Sequence, residues 1–246
     1  MRPDGRTNDQ IRAPEITPGF IRHAEGSVLW RAGDTMVLCN ASYDDKTAPF
    51  LRGSGEGWVT AEYAMLPRAT DTRGDRRPSG RSQEIQRLIG RALRAAVRRD
   101  RMGERSIIVD CDVLQADGST RTASVSGGWV ALAFALARLH EQGVMPEWPL
   151  AAQVAAVAVG VISGEARADL DYGEDFDCDV DLNLVYTAGG RLVEIQGTAE
   201  GRPFTRGELE AVLEVGWTGA QQVLAAQREV VAPRLAELGL SFPLDR

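Results

Sequence analysis

The spacing of hydrophobic and polar positions switches between a two-residue and a helical period along the chain. The first third alternates as strands do. Residues 26–40 predict a hairpin with a tight Gly33-Asp34 turn, and residues 58–66 predict another strand. A polar loop follows over 68–80, and apolar residues at helical spacing then predict a helix over 84–97.

The rest of the chain begins with a continuous apolar run that predicts a buried strand over 106–114. The elements predicted after it are a helix at about 121–142, strands at about 152–162, 179–187 and 191–197, and a long helix at about 205–231. Strands followed by a helix therefore occur twice, which indicates an α+β or mixed α/β class. We expect a single domain, 1–246, with halves at about 1–105 and 106–246.

Several classes of protein are excluded by what the sequence lacks. No G-x-G-x-x-G opens a helix after the first strand, and there is no Walker A motif, so neither a Rossmann nor a P-loop enzyme is indicated. The longest apolar stretch, 150–163, is shorter than the roughly 20 residues of a membrane span. The N-terminus lacks a signal-peptide core and the three cysteines are scattered, so we expect a cytoplasmic protein without a membrane partner.

The net charge of −7 conceals a strong asymmetry along the chain. Residues 68–105 hold twelve arginines against five acids, whereas residues 165–246 hold sixteen acids against seven arginines. Local charge governs the capture of a polyanion, so the basic segment is a candidate contact surface, although its arginines could also form a solvated loop. The candidates are Arg68, Arg73, Arg76 and Arg77 in the loop and Arg87 on the following helix.

The turn between the strand at 106–114 and the helix at 121–142 has the composition of an anion site. Ser119, Thr120 and Arg121 stand there at the start of the helix. Backbone N–H groups, the helix dipole, two hydroxyls and a guanidinium could converge on one anion. An ordinary helix cap would have the same pattern.

Acidic residues cluster between 169 and 181, with seven carboxylates in thirteen residues. If the second part is extended, Asp177, Asp179 and Asp181 lie on one face and repel one another unless water, arginine or a cation separates them. Hard oxygen ligands in small number suit Mg²⁺ or Mn²⁺. The alternative is a solvated acidic edge that discourages aggregation.

Residues for covalent catalysis are not evident in the sequence. His23 and His140 are isolated, no cysteine is paired with a histidine, and there is no G-x-S-x-G motif. A mechanism through a covalent enzyme intermediate is therefore not indicated.

Several motifs, taken together and in order, resemble the bacterial ribonuclease PH family over nearly the whole chain. They are MRPDGR at 1–6, PFLRG at 49–53, GWVTAEYAMLPRAT at 57–70, SGR at 79–81, EIQRLIGR at 84–91, DCDVLQADGSTRTAS at 110–124 and EIQGT at 194–198. The chain departs from the family pattern in a shorter loop at 71–79, which lacks the usual lysine, and in Ser119, where the family usually has glycine.

The resemblance implies an α+β fold of two β-α-β units of the ribosomal protein S5 domain 2 type, with mixed sheets and packed helices. It implies a phosphate-dependent 3′→5′ exoribonuclease that trims tRNA precursors and other RNA with single-stranded 3′ ends and releases nucleoside diphosphates. The family's residue roles then fall on Arg81, Ser119, Thr120 and Arg121 for phosphate, and on Asp175 and Asp181 for catalysis and a metal ion, Mg²⁺ or Mn²⁺. Members assemble as a homohexamer, a trimer of dimers.

Two other functions remain to be weighed against this one. A ring-forming subunit that binds RNA without catalysis is disfavoured by the joint presence of Arg81, Arg121, Asp175 and Asp181. A metal-dependent hydrolase that uses water is disfavoured by the likeness of residues 110–124 to the family's phosphate loop. The released nucleotide, monophosphate or diphosphate, separates the hydrolase from the phosphorolytic enzyme.

Overall fold

The fold, taken from a computed structural model that describes residues 2–77 and 79–243, has two β-sheets and four α-helices. Met1, Pro78 and residues 244–246 of the predicted domain lie outside this description. The strands are β1 (Pro14–Pro18), β2 (Gly26–Ala32), β3 (Thr35–Asp44), β4 (Trp58–Met65), β5 (Ser106–Gln115), β6 (Val154–Ile162), β7 (Glu165–Ala168), β8 (Val180–Thr187) and β9 (Leu192–Ala199). The helices are α1 (Gly80–Ala95), α2 (Thr120–Glu141), α3 (Tyr172–Asp177) and α4 (Arg206–Glu237).

The first sheet has the strand order β1-β2-β3-β5-β4 and is mixed. The predicted hairpin is confirmed as β2 and β3, joined at Gly33, whose φ of +57° glycine tolerates without strain. Strands β4 and β5 run parallel because α1 crosses between them. Strand β5 therefore belongs to the first sheet, so the change from one sheet to the other falls after residue 115 and not after residue 105.

The second sheet has the order β7-β6-β8-β9, and all of its described pairs are antiparallel. Helix α2 lies between the two sheets and contacts β2 and β3 on one side and β6 on the other. It is long and apolar enough to span a membrane by length and composition, but 89% of its most apolar stretch is buried inside the protein. Apolar residues lie on all sides of this helix, which is typical of a helix buried in a protein core.

Three short elements are missing from the sequence prediction: β1, β7 and α3. The largest difference is at α3. The prediction that an extended segment carries Asp177, Asp179 and Asp181 on one face is wrong. Asp177 ends α3, and β8 begins only at Val180. A capping box at Asp171 starts a helix in this run, and such a local signal is not visible in two-residue periodicity.

Candidate active site

A cleft of about 480 Å³ opens where the N-terminus of α1, the N-terminus of α2, helix α3 and strands β8 and β9 meet. It brings together side chains from both halves of the chain. Its lining residues are Arg81, Glu84, Arg121, Tyr172, Asp175, Phe176, Cys178, Asp181, Asn183, Gln196, Gly197, Thr198 and Glu200. An adjoining space of about 160 Å³ reaches the turn at Gly118, Ser119 and Thr120, so all six residues predicted for phosphate and catalysis border one connected site.

Two arginines in this cleft lack a partner among the residues that the structure describes. Arg81 is the second residue of α1, and Arg121 is the second residue of α2. Within residues 2–77 and 79–243, neither guanidinium makes a hydrogen bond or ion pair. Both guanidinium groups act electrostatically on the carboxylates of Asp175 and Asp181, so two positive and two negative side chains share one small volume. Two unpaired guanidinium groups at a concave surface are suited to binding an anion.

The turn before α2 leaves the start of that helix without a side-chain cap. The other three α-helices each begin with a capping box, formed by Ser79 with Ser82, Asp171 with Glu174, and Thr205 with Glu208. At α2, Ser119 is in the left-handed region with φ of +54°, and its hydroxyl donates to the carbonyl oxygen of Leu170 at 3.0 Å. The first N–H groups of α2 are thereby left without a capping side chain, as in helix N-termini that bind phosphate.

The hydroxyls of Ser119 and Thr120 are both engaged with the protein. Ser119 uses its only hydroxyl hydrogen on Leu170, and the Thr120 hydroxyl lies 3.0 Å from the phenol oxygen of Tyr63. A free Ser119 hydroxyl donor, expected from the sequence, is therefore absent from the described structure. What Ser119 can offer an anion is the backbone N–H.

The two candidate catalytic carboxylates have perturbed acidities. Burial, and then the charge of Asp175, raise the pKa of Asp181 to about 6, although Arg121 and Arg81 act in the opposite direction. Burial also raises the pKa of Asp175, again against the two arginines. Because each carboxylate disfavours ionisation of the other, a bound cation would relieve a repulsion already present in the folded protein.

A divalent cation fits this donor set. Among the residues that the structure describes, no group of three or more His, Cys, Asp or Glu side chains forms a metal cage. Asp175 and Asp181 would supply two hard oxygen ligands, and water and substrate phosphate would complete the coordination, as Mg²⁺ prefers. Cys178 borders the same cleft, but burial raises its pKa to about 12, and the neutral thiol donates to the backbone oxygen of Asp175 at 3.1 Å.

Sequence reasoning missed the role of the buried arginines that hold this site in place. Arg2 is 3% exposed and donates from Nε to Glu174 at 2.8 Å and from its two Nη atoms to the backbone oxygens of Ala168 and Asp169 at 2.8 Å each. Glu174 precedes Asp175 on α3. The N-terminal segment therefore fixes the helix that carries a candidate catalytic carboxylate.

Arg12 makes a second bridge, between the turn before α2 and the segment before α3. Its guanidinium donates to Asp169 Oδ1 at 2.7 Å and to the backbone oxygen of Asp117 at 2.6 Å. Burial alone would raise the pKa of Asp169, but the hydrogen bonds and charge of Arg12 hold that pKa below its ordinary value. A Cβ at Gly118 would lie 2.3 Å from the Leu170 oxygen, so only glycine permits the close approach of these two segments.

Two contacts tie α1 to β9 along one side of the cleft; together they are called here the α1–β9 contact. Gln196 donates to Glu84, and Arg91 Nε donates to Glu194 at 2.9 Å. Helix α1 carries Arg81, and β9 neighbours β8, which carries Asp181. The contact therefore joins the element that carries Arg81 to the strand next to the one that carries Asp181, the candidate residues for anion binding and catalysis.

Two of the arginines predicted to contact RNA line a groove that adjoins the cleft. Arg76 and Arg77 line a groove of about 320 Å³ that also contains Arg81. Arg68 and Arg73 are exposed in the same loop, and Arg87 is exposed on α1. The other arginines on that helix face serve the fold, because Arg91 pairs with Glu194 and Arg94 lies over the Trp58 ring at 4.2 Å.

The acidic run divides into structural and cleft residues. Asp169 and Glu174 bind arginines, Asp171 caps α3, and Asp179 lies 3.7 Å from Arg202. Asp175 and Asp181 line the cleft. The run is therefore neither a row of metal ligands nor a uniform solvated edge.

Comparisons with known proteins agree over almost all of the chain. Residues 10–137 match the family model of the 3′ exoribonuclease family, domain 1, and residues 152–219 match that of domain 2. The chain is 51% identical over 235 residues to ribonuclease PH of Syntrophomonas wolfei, covering 94% of this chain and 98% of that protein.

Two solved structures share this fold. Rrp46 of rice (Oryza sativa) superimposes with a TM-score of 0.79 at 20% identity, covering 94% of this chain and 100% of the rice chain. A chain of the Archaeoglobus fulgidus exosome, solved with RNA bound to the active site, gives a TM-score of 0.77 at 24% identity, covering 90% of this chain and 91% of that one. These likenesses confirm the predicted fold, and with the two matched domains and the 51% identical relative they establish that this chain belongs to the 3′ exoribonuclease family, to which ribonuclease PH also belongs.

Proposed function

We propose that this protein shortens RNA from the 3′ end by phosphorolysis, with inorganic phosphate as co-substrate and nucleoside 5′-diphosphates as products. The observation that carries the proposal is the pair of unpartnered guanidiniums, Arg81 and Arg121, facing Asp175 and Asp181 in one cleft beside the uncapped start of α2. The substrates are tRNA precursors and other RNA with single-stranded 3′ ends. The reaction is reversible, because a diphosphate can return its nucleotide to the RNA end.

The main barrier that the site must lower is electrostatic. An oxygen of inorganic phosphate attacks the terminal phosphodiester, the bond from phosphorus to the 3′-oxygen breaks, and that oxygen takes up a proton to become the new RNA end. Two unit charges about 4 Å apart repel by roughly 4 kcal/mol at an effective dielectric of 20. Arg81, Arg121 and the N–H groups of α2 offset this repulsion and hold the phosphate in line with the bond it attacks.

The carboxylates suit a divalent cation, Mg²⁺ or Mn²⁺. Asp175 and Asp181 would hold the ion, which supplies positive charge next to the scissile phosphodiester and the leaving oxygen. The raised pKa of Asp181, about 6, means that its carboxylate is mostly ionised and able to bind the ion at neutral pH. Both carboxylates are oriented by the protein, since Asp181 lies in β8 and Asp175 lies in α3 next to Glu174, which Arg2 holds.

The RNA would approach along the basic surface. Arg76 and Arg77 share a groove with Arg81, and Arg68, Arg73 and Arg87 are exposed nearby along the chain. Contacts of arginine with backbone phosphates are independent of base sequence and weaken with salt. We propose in addition that the protein works as a homohexamer, a trimer of dimers, and in the cytoplasm, on the basis of the family resemblance.

The first experiment supplies RNA carrying a single-stranded 3′ tail and Mg²⁺, with and without inorganic phosphate, and identifies the released nucleotides. Diphosphates that depend on phosphate are expected. Monophosphates would identify a hydrolase, and tight binding of RNA without release would identify a non-catalytic subunit.

Replacement of Arg81 tests its assigned role. Arg81→Ala is expected to lower phosphorolysis about 10²- to 10³-fold, because it removes one preorganised charge facing the nucleophile. The affinity for RNA should remain near that of the wild type. Arg22→Ala, an exposed arginine at the opposite end of α2, is the matched control and should leave activity unchanged. Near-normal diphosphate release by Arg81→Ala would contradict the assignment.

A further inference from the structure

Two large aromatic side chains stand exposed at the rim of the cleft. Tyr172 is 64% exposed. Phe176 is 81% exposed, which is the highest value for a large hydrophobic side chain in the part of the chain that the structure describes. Both line the same cleft as Arg81, Arg121 and Asp181. Within the described chain neither ring packs against another aromatic ring. Exposed aromatic surface beside a polar cleft is typical of a ligand-contacting surface.

The helix geometry places the two rings beside a candidate catalytic group. Tyr172 and Phe176 are four residues apart on α3, and Asp175 is three residues after Tyr172. Positions separated by three and four residues share one helix face, so the rings and the carboxylate are directed to the same side. The two residues are about 6 Å apart along the helix axis, slightly more than one turn.

Helix α3, which carries the two rings, is held rigidly relative to the turn before α2. The capping box of Asp171 and Glu174 fixes the start of α3, and the Tyr172 backbone N–H donates to Asp117 Oδ1 at 3.2 Å. Arg2 holds Glu174 from the buried side. The two rings therefore need little ordering when a ligand binds, which favours affinity.

We propose that Tyr172 and Phe176 form a stacking surface for the bases of the last nucleotides of the RNA. This rests on the proposed function, since it assigns the part of the substrate that lies next to the scissile phosphodiester. A nucleotide end fits because its scissile phosphodiester would lie in the cleft beside Asp175 and Asp181 while its base meets an uncharged ring at the rim. Every base has a π-face, so the surface accepts any sequence and binds purines more tightly than pyrimidines.

The test measures KM for RNA and KM for phosphate separately. Phe176→Ala is expected to raise KM for RNA about tenfold, the loss associated with one stacking contact. KM for phosphate and the turnover at saturating RNA should be unchanged. Phe176→Leu, which keeps an apolar side chain without a ring, should behave like Phe176→Ala, and Phe176→Trp should retain wild-type affinity. The matched control is Phe20→Ala, an exposed phenylalanine in the loop between β1 and β2, which lines neither the cleft nor the grooves that adjoin it.

The substrate can be varied as well as the protein. RNA with an abasic 3′-terminal nucleotide should bind the wild type and Phe176→Ala equally, because no base remains to stack. A difference between the two proteins that persists with the abasic RNA would overturn the proposal. An unchanged KM for RNA in both Phe176→Ala and Phe176→Leu would overturn it too.

A binding assay separates failure of this proposal from failure of phosphorolysis. Fluorescence of the Phe176→Trp protein should be quenched by a single-stranded oligonucleotide even without phosphate and Mg²⁺, whatever products the enzyme makes. Light scattering gives the remaining control: a fall in the mass of the assembly on Phe176→Ala would identify a second copy of the chain as the occupant of this surface and would contradict RNA stacking.

Discussion

Asp181 combines two requirements that oppose each other. Its carboxylate must be ionised to hold a cation, yet burial and the neighbouring Asp175 raise its pKa from the ordinary 3.8 to about 6. Since the folded protein binds this proton more tightly than the unfolded chain does, the contribution of Asp181 to stability falls as pH rises from about 4 to about 6. Above pH 6 the folded protein carries an unfavourable charge that a bound cation offsets.

Asp181→Asn is therefore expected to stabilise the cation-free protein at pH 7 while it removes activity. After allowance for solvent screening of a half-buried group, we expect the free energy of unfolding to rise by about 1 kcal/mol and Tm to rise by roughly 2–4 °C. Mg²⁺ should raise the Tm of the wild type and not that of the variant, and thermal melts with and without Mg²⁺ measure both. A variant that melts earlier than the wild type, or that keeps the same response to Mg²⁺, would place the metal elsewhere.

At the same scale, the sequence could nominate candidate residues for the chemistry. Arg81 and Arg121 lie in motifs that resemble a known family, Asp175 and Asp181 match it by their place in the acidic run, and the fold brings all four to one cleft. The buried partners could not be found, since Arg2 and Glu174 are 172 positions apart and nothing local marks either as buried. The side-chain role expected of Ser119 failed for a similar reason, because its hydroxyl bonds to Leu170, which is brought there only by the tertiary fold.

Among the elements, the ones predicted correctly have a long and regular hydrophobic pattern. The hydrophobic pattern predicts helices α1, α2 and α4 and strands β2 to β6, β8 and β9, with ends that differ by a few residues. Strand β7 has four residues and α3 six, too few for a period to be visible, and β1 begins and ends with proline. The shortest of these elements, β7 and α3, flank the segment that Arg2 and Arg12 bind. The hydrophobic pattern therefore predicts the secondary structure least well close to the site.

The α1–β9 contact can be tested by reversing its charges. Glu194→Arg would face Arg91 with a like charge and push α1 away from β9, so we expect KM for phosphate to rise about 3- to 10-fold. The double variant Arg91→Glu/Glu194→Arg restores opposite charges and should recover most of the affinity. Phosphate titrations of the single and double variants make the comparison. Equal defects in both would show that the separation of Arg81 from Asp181 does not depend on this ion pair.

On the scale of the whole molecule, one short segment holds the functional parts together. Through Arg2 and Arg12, residues 2–12 contact the turn before α2, which follows β5 of the first sheet, and the segment before α3, which follows β7 of the second sheet. A buried ion pair is costly to break by removal of one partner, because the other is left charged and without compensation.

Arg2→Ala should consequently lower the free energy of unfolding by about 3–5 kcal/mol. In the double variant Arg2→Ala/Glu174→Gln the uncompensated charge is gone, so part of that loss should be regained. Urea denaturation of the two variants and of the exposed-site control Arg22→Ala provides the measurement. A loss below 1 kcal/mol for Arg2→Ala would mean that the N-terminal segment is dispensable for holding α3.

The distribution of the site over both halves also sets the order in which its activities arise during synthesis. Arg121 precedes Asp181 by 60 residues, which is several seconds of translation at about 5–20 residues per second. During that interval the arginine-rich part, including Arg81, has left the ribosome without the acidic part that completes the cleft. Until Asp181 is made, a growing chain therefore holds the arginines of the cleft without the carboxylates that complete it.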